Sequence, residues 1–292
     1  MMSRLEGMKG PLMILLSSVF FSMTGTLQAF APEQATPITV TFARMFLGAA
    51  TLFCWCAFVG KLPRHFADIP KKPLAMVVIS VLLYQVFFFT ATKQVGVAVG
   101  SVVAIGATPI WAAILAFVLF RTAPAVVWYP ATVMAIVGVF LINGSDFSVD
   151  NLLAVVPPLA AGLCYAVEII YAKQLVKELP PETAMLLEMA LVSLLLLPVM
   201  AVSPVEWMFT GRGLLVSVGL GVFTAGIAFT CFNYGLRYTS ETTASTLALS
   251  EPLLAACMGV FVLNEPVTWQ SGVGIVLLIA SVGILVFEKK PA

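Results

Sequence analysis

A membrane-crossing helix needs roughly 20 apolar residues at a rise of about 1.5 Å each. Ten stretches of this chain meet that length: 10–31, 37–59, 73–93, 96–120, 124–143, 151–173, 182–203, 213–236, 241–263 and 268–287. The gaps between them are short and hold most of the charged residues, prolines and glycines. Of 292 residues, 61% are hydrophobic and 10% charged, whereas soluble domains run at about 25% charged. The expected fold is an all-α integral membrane protein with ten transmembrane helices and no soluble domain. The first stretch has a basic flank (Arg4, Lys9) and a small-residue triplet, Ala29-Phe30-Ala31, like a secretory leader. Its apolar run is too long for a leader and Pro32 follows the triplet, so it reads as an uncleaved first span.

Lysine and arginine in short loops set orientation. With the N-terminus inside, the cytoplasmic loops and tails collect Arg4, Lys9, Lys61, Arg64, Lys71, Lys72, Arg121, Lys173, Lys177, Arg237, Lys289 and Lys290, and the outside receives only Lys93 and Arg212. Both termini are therefore expected in the cytoplasm. Trp55, Trp128, Trp207 and Trp269 fall near span ends, where amphipathic rings favour the headgroup region. Trp111 lies within the fourth span.

Several chemistries are excluded at this stage. A net charge of +1 without a basic stripe argues against a nucleic-acid partner. One histidine, His65, in a hydrophilic loop leaves no basis for histidine catalysis or a histidine metal site. The five cysteines sit in apolar segments without framework spacing and read as packing residues, Cys54 and Cys56 included. No phosphate-binding G-x-x-x-x-G-K-[ST] loop occurs, and no cofactor is expected.

A shift of about 144 residues aligns the two halves. Pro37 falls on Pro181, Phe21-Ser22 on Tyr165-Ala166, Lys93 on Arg237, and Arg44 on Glu188. With one-residue slips, Pro109 falls on Pro252 and Gly138 on Gly283. This divides the chain into a first five-helix repeat, 1–147, and a second, 148–292. Five is odd, so two consecutive copies must lie in the membrane inverted. Inverted repeats characterise many secondary transporters, whose sites lie between the halves at interrupted helices. The Pro109 and Pro252 helices are the corresponding pair here.

Ser250-Glu251-Pro252-Leu253, followed by Leu263-Asn264-Glu265-Pro266-Val267-Thr268-Trp269-Gln270-Ser271-Gly272, resembles the EamA family of the drug/metabolite transporter superfamily. The resemblance covers the whole chain, and in length and layout it extends to that family's bacterial aromatic amino acid exporters. It implies ten helices, a central cavity lined mainly by spans 1, 3, 4, 6, 8 and 9, export from the cytoplasm, and an inner-membrane location. One departure is clear: the first half has Arg121-Thr122-Ala123 where the second has Glu265.

Ionisable residues inside spans are rare enough to weigh singly. Glu251, beside Pro252, is costly at bilayer depth, by about 2.5–3.5 kcal/mol on insertion scales. It reads as a ligand for a substrate ammonium or a proton acceptor; the competing reading is a group that steadies broken backbone with help from Ser250. Arg44 and Glu188 read as gate latches at opposite faces or as packing groups, and Glu168 as one side of a cytoplasmic ion pair with Lys173 or Arg237. Tyr84, Phe88, Trp111 and Tyr165 are candidates for an aromatic pocket, with Trp111 foremost; the competing reading is plain packing between helices. Asn233 belongs to a polar stripe with Thr230 and Arg237 and can serve a substrate carboxylate or ammonium, or bond between helices. Pro109 and Pro252 supply compliance for bending.

These readings converge on a transporter of amino acids, aromatic and other neutral ones, working by alternating access and driven by a gradient. Proton coupling is open, as is the choice between monomer and homodimer. A nucleotide-sugar or phosphate-ester carrier would need fixed positive charge beyond Arg44. A membrane-embedded lipid-modifying enzyme would need clustered carboxylates or histidines, and a channel would need rings of lining residues.

Overall fold

The computed structural model describes residues 2–63, 69–143, 152–263 and 268–287. His65, Asn264, Glu265 and Pro266 lie outside them. The order is α1 (Met2–Ala29), α2 (Pro37–Phe58), α3 (Lys71–Phe120), α4 (Trp128–Asn143), α5 (Val156–Glu178), α6 (Pro181–Met200), α7 (Gly211–Gly219), a π-helical segment (Leu220–Ile227), α8 (Ala228–Leu236), α9 (Glu241–Leu247), α10 (Ser250–Leu263) and α11 (Trp269–Val286). Among the described residues, eight segments are long and apolar enough to cross a membrane, and Trp128–Ile142 is a shorter apolar helix. The expected ninth span is the broken pair α9–α10.

Local chemistry explains the starts. Thr36 caps α2 through the Thr39 amide, Thr39 returns a bond to the Thr36 amide, and Pro37 occupies the first helical position, where its missing N–H is not needed. Thr210 and Thr268 cap α7 and α11 by accepting from the Gly213 and Ser271 amides, without the return bond.

The helix α3 is 50 residues long and would measure about 75 Å if straight. It is not straight. A Cβ on Gly100 would lie 3.5 Å from the backbone of Ala91 and Thr92, residues that a straight helix would hold about 12 Å or more away. The chain therefore doubles back sharply, and the two arms, Lys71–Val95 and Val99–Phe120, are the expected spans 3 and 4. Pro109 lies inside the second arm without interrupting it, so the expected break there is not found. The break in the second half is real, but it precedes its proline: α9 ends at Leu247, and Glu251 and Pro252 stand in the first turn of α10, where proline is tolerated.

The core runs through α6 and the α7–α8 span, which are buried over more than half of their apolar windows. Helix α1 packs on α8, α2 on α6 and the π segment, both arms' helix α3 on α5, and α4 on α11. At the last pair, a Cβ on Gly138 would meet the Gly274 carbonyl at 2.8 Å and one on Gly274 would meet the Gly138 carbonyl at 2.7 Å. Two glycines thus let the backbones of the fifth and tenth spans touch. Gly283, matched to Gly138 by the repeat, meets nothing within 4 Å.

Two tryptophans expected at the headgroups are internal cross-links. Trp128 is buried and its Nε1 donates to the Thr242 carbonyl and to Thr246 Oγ1, both at 3.0 Å. Trp207 is buried and donates to Thr39 Oγ1 at 3.0 Å. Their rings fill gaps between spans and their N–H groups find partners there, as buried indoles require. Trp55 and Trp269 remain exposed.

Candidate functional site

A cavity of about 520 Å³ lies among α1, α2, both arms of α3, α5, α8 and the α9–α10 break. That volume falls in the range of small-molecule sites. Arg44, Glu168 and Glu251 line it at mid-depth together with Tyr84, Phe88, Tyr165, Phe21 and Phe229. From there it runs past Thr24, Gln28, Thr41, Gln85 and Thr92 to Ala31, Ala35 and Pro37, in and beside the connection between α1 and α2.

The break before α10 puts Glu251 at a helix N-terminus, whose dipole favours negative charge. Ser250 does not steady it, because its hydroxyl donates to the Leu247 carbonyl at 2.7 Å. Arg44 enters from α2. Its Nη2 donates to the Thr224 carbonyl at 2.8 Å, inside the π segment, its guanidinium lies 5.4 Å from the centre of the Phe229 ring, and Nε has no protein acceptor. A guanidinium so tethered keeps donors for a planar anion such as a carboxylate. The π turn supplies the tether, since its altered bonding frees carbonyls from the usual helical ladder. Glu168 and Glu251 both lie within electrostatic reach of Arg44.

The rings form two groups. Tyr84 stacks on Phe88 at 5.4 Å and meets Tyr165 at 6.0 Å, while Phe21 meets Phe229 edge-on at 4.7 Å. Pockets for aromatic ligands use such offset and edge-on faces.

Other candidates lie elsewhere. Trp111 does not line this cavity; its Nε1 donates to the Leu159 carbonyl at 3.1 Å, which ties the second arm of α3 to α5. Asn233 is buried away from the cavity, with Nδ2 bonded to Met185 Sδ at 2.8 Å and the Phe229 carbonyl at 3.0 Å. Arg237, on the same stripe, is spent on the Val176 and Leu179 carbonyls. Lys173 bonds Glu241 and the Thr239 carbonyl, so neither cation pairs with Glu168 as expected. Glu168 faces the cavity instead. Glu188 is 1% exposed and outside the cavity. Pro109 and Pro252 do not line it either.

The end opposite the cavity mouth is tied by polar contacts that the sequence did not single out. Lys61 pairs with Glu182 at 2.5 Å, and the Tyr234 hydroxyl donates to the other Glu182 oxygen at 3.0 Å. Thr183 donates to the Lys61 carbonyl at 2.7 Å. The hydrogen-bonded carboxylate holds the Lys61 ammonium above the usual lysine pKa. With the Lys173 and Arg237 contacts, these link α2, α5, α6, α8 and α9 at one end. Gln28, Gln85 and the π segment were also missed; the polar residues inside apolar spans, and the run of Gly219, Gly221 and Gly226, of which Gly221 packs against Gly48, were the available signals. Among the described residues, no three His, Cys, Asp or Glu side chains converge on a metal site.

A family model for the EamA-like transporter family matches residues 8–144 and again 152–287. The chain is 32% identical over 282 residues to the uncharacterized transporter YwfM of Bacillus subtilis (strain 168), covering 96% of this chain and 94% of that one. It is 26% identical to an uncharacterized transporter of Archaeoglobus fulgidus, covering 94% of each, and 21% identical to the uncharacterized inner membrane transporter YicL of Salmonella typhimurium, covering 97% and 96%. A protein of known crystal structure superposes with a TM-score of 0.80 at 18% identity, over 95% of this chain and 98% of that one. A cavity between apolar helices, a family match across both halves and relatives named as transporters lead to one conclusion: the chain is a multi-pass membrane transporter and belongs to the EamA-like transporter family.

Proposed function

We propose that this transporter exports neutral amino acids, aromatic ones among them, across the inner membrane by alternating access. The observation that supports the reading is the cavity lining: one tethered guanidinium, two carboxylates and a wall of rings in about 520 Å³. In this reading Arg44 binds the substrate carboxylate, Glu251 or Glu168 binds the ammonium, and Tyr84, Phe88 and Tyr165 accept an aromatic side chain. The two halves, 1–147 and 148–292, act as inverted repeats, with both termini in the cytoplasm. On that orientation the cavity opens outward, and the Lys61–Glu182 and Lys173–Glu241 contacts close the cytoplasmic end.

A nucleotide-sugar carrier would present several fixed cations to a diphosphate, whereas this lining sets two carboxylates against a single arginine. Uptake of labelled tryptophan, threonine and a UDP-sugar into proteoliposomes separates the readings. Tryptophan and threonine are expected to accumulate and the UDP-sugar to stay out. Uptake of the UDP-sugar alone would overturn the amino acid assignment.

A further inference from the structure

Arginine keeps its charge in proteins, and Arg44 lies inside a span, yet among the described residues no acidic side chain forms an ion pair with it. What holds it is neutral. Nη2 donates to the Thr224 carbonyl at 2.8 Å, and the guanidinium carbon stands 5.4 Å from the centre of the Phe229 ring, within the reach of a cation–π contact. The difference is chemical. A carboxylate partner would fix the guanidinium and cancel its charge, whereas a carbonyl and a ring face fix it and leave the charge for a ligand. Nε, buried without a protein acceptor, is one donor kept in this way.

Both holders come from one irregularity in the chain. In an α-helix the Ala228 N–H would bond to the Thr224 carbonyl. Here it turns to the Phe223 and Ala225 carbonyls instead, and the Thr224 oxygen is left for Arg44. An α-helix would also carry residue 229 about 140° round from residue 224, onto another face. A π turn pairs residue i with residue i+5 and so brings Phe229 back over Thr224. The ring is then braced from α1, where Phe21 meets it edge-on at 4.7 Å. Its own carbonyl accepts from Asn233 at 3.0 Å.

We propose that Phe229 is the positioning residue for Arg44: its ring stands where a counter-ion would, and it thereby sets the preference for substrates that bear a carboxylate. Without the ring, the guanidinium is free to swing toward Glu168 or Glu251, which line the same cavity. An ion pair formed there would occupy the donors that a substrate carboxylate needs. The proposal rests on the amino acid reading for its transport assay and on the contact between Arg44 and Phe229 alone for its spectroscopic assay.

Two measurements on the full-length protein test this. Magnetic resonance of protein carrying isotope-labelled arginine gives one Nε–Hε signal per arginine, and that of Arg44 is the one lost in Arg44→Lys. The ring face should hold its proton upfield. Phe229→Leu should move it back downfield, and Phe229→Tyr should keep it upfield. An Arg44 signal that does not respond to loss of the ring overturns the proposal whatever the substrate. In proteoliposomes, Phe229→Leu should raise KM for tryptophan about tenfold with kcat within about twofold of wild type, the pattern of lost binding without lost turnover. Inhibition by tryptamine, which keeps the indole and the ammonium but lacks the carboxylate, should be unchanged. Phe229→Tyr, which keeps the ring face, should restore the wild-type KM. Equal weakening of tryptophan and tryptamine by Phe229→Leu would make the ring a wall of the pocket and overturn the proposal, as would an unaltered KM. If wild type carries no amino acid, the substrate assignment falls and the Arg44 signal decides whether Phe229 holds it.

Discussion

At the scale of single residues, the structure separates side chains that look alike in the sequence. Tyr165 and Trp111 are both aromatics within spans, yet Tyr165 lines the cavity and Trp111 secures α3 to Leu159. The sequence marks which residues are unusual in a span. It does not say which face they occupy, because helices apolar on all sides carry no stripe from which to read the inward direction. Glu251 was legible because a carboxylate in such a segment demands a reason. Glu251→Gln is expected to lower tryptophan transport at least tenfold while the yield of folded protein in detergent is unchanged; transport at the wild-type rate would leave Glu251 a structural role only. For Trp111→Ala, the ratio of tryptophan to threonine transport should not move. The cost should fall on stability, by about 1 kcal/mol for the lost hydrogen bond, visible as a lower midpoint of thermal unfolding.

At the scale of elements, span positions were recovered within a few residues, since length and hydropathy are set by the bilayer. Irregularities were recovered only where they had a chemical marker. Proline announced the α9–α10 break, though the break falls one turn earlier, at Ala248–Leu249. The π segment has no proline, and it coincides with close packing: a Cβ on Gly221 would lie 2.5 Å from that of Leu47. The contacts that close one end were not legible at all, because Lys61, Glu182 and Tyr234 come from three separate places in the sequence. Their pH behaviour follows from Lys61. Its pKa is raised by Glu182, so the contribution of this pair is complete below the ordinary lysine range and disappears as pH rises through the higher, folded-state value. Protection of residues 59–62 and 181–184, taken as the ratio of intrinsic to observed amide exchange rate, should therefore hold through neutral pH and fall in strongly alkaline buffer. Lys61→Met should show the lowered protection at neutral pH. Full protection in that variant would show that the Thr183 bond to the Lys61 carbonyl holds this end unaided.

At the scale of the whole molecule, the repeat read from Pro37 and Pro181 indicated two halves but not how they grip each other. That information lies in pairings such as α2 with α6 and α4 with α11, which join residues far apart in sequence. The glycine contact between α4 and α11 gives the most direct test. Gly138→Val would force a branched side chain against the Gly274 carbonyl and Leu278, and overpacking of this kind costs about 1–3 kcal/mol. Thermal unfolding should start at lower temperature, and Gly138→Ala should show a smaller drop. An unchanged midpoint for the valine variant would mean that the two helices separate at little cost.

The reversal inside α3 carries a mechanical consequence. Its two arms contribute Tyr84, Phe88 and Thr92 on one side and Ser101 and Ile105 on the other to a single cavity wall, and no more than a few residues join them. Such a bend works like the crook of a folded ruler: the leaves can open or close about the joint but cannot part there, so a shift of one leaf along its length carries its neighbour with it. A glycine-serine insertion after Val95 would give the leaves slack, and the motion of one would no longer reach the other.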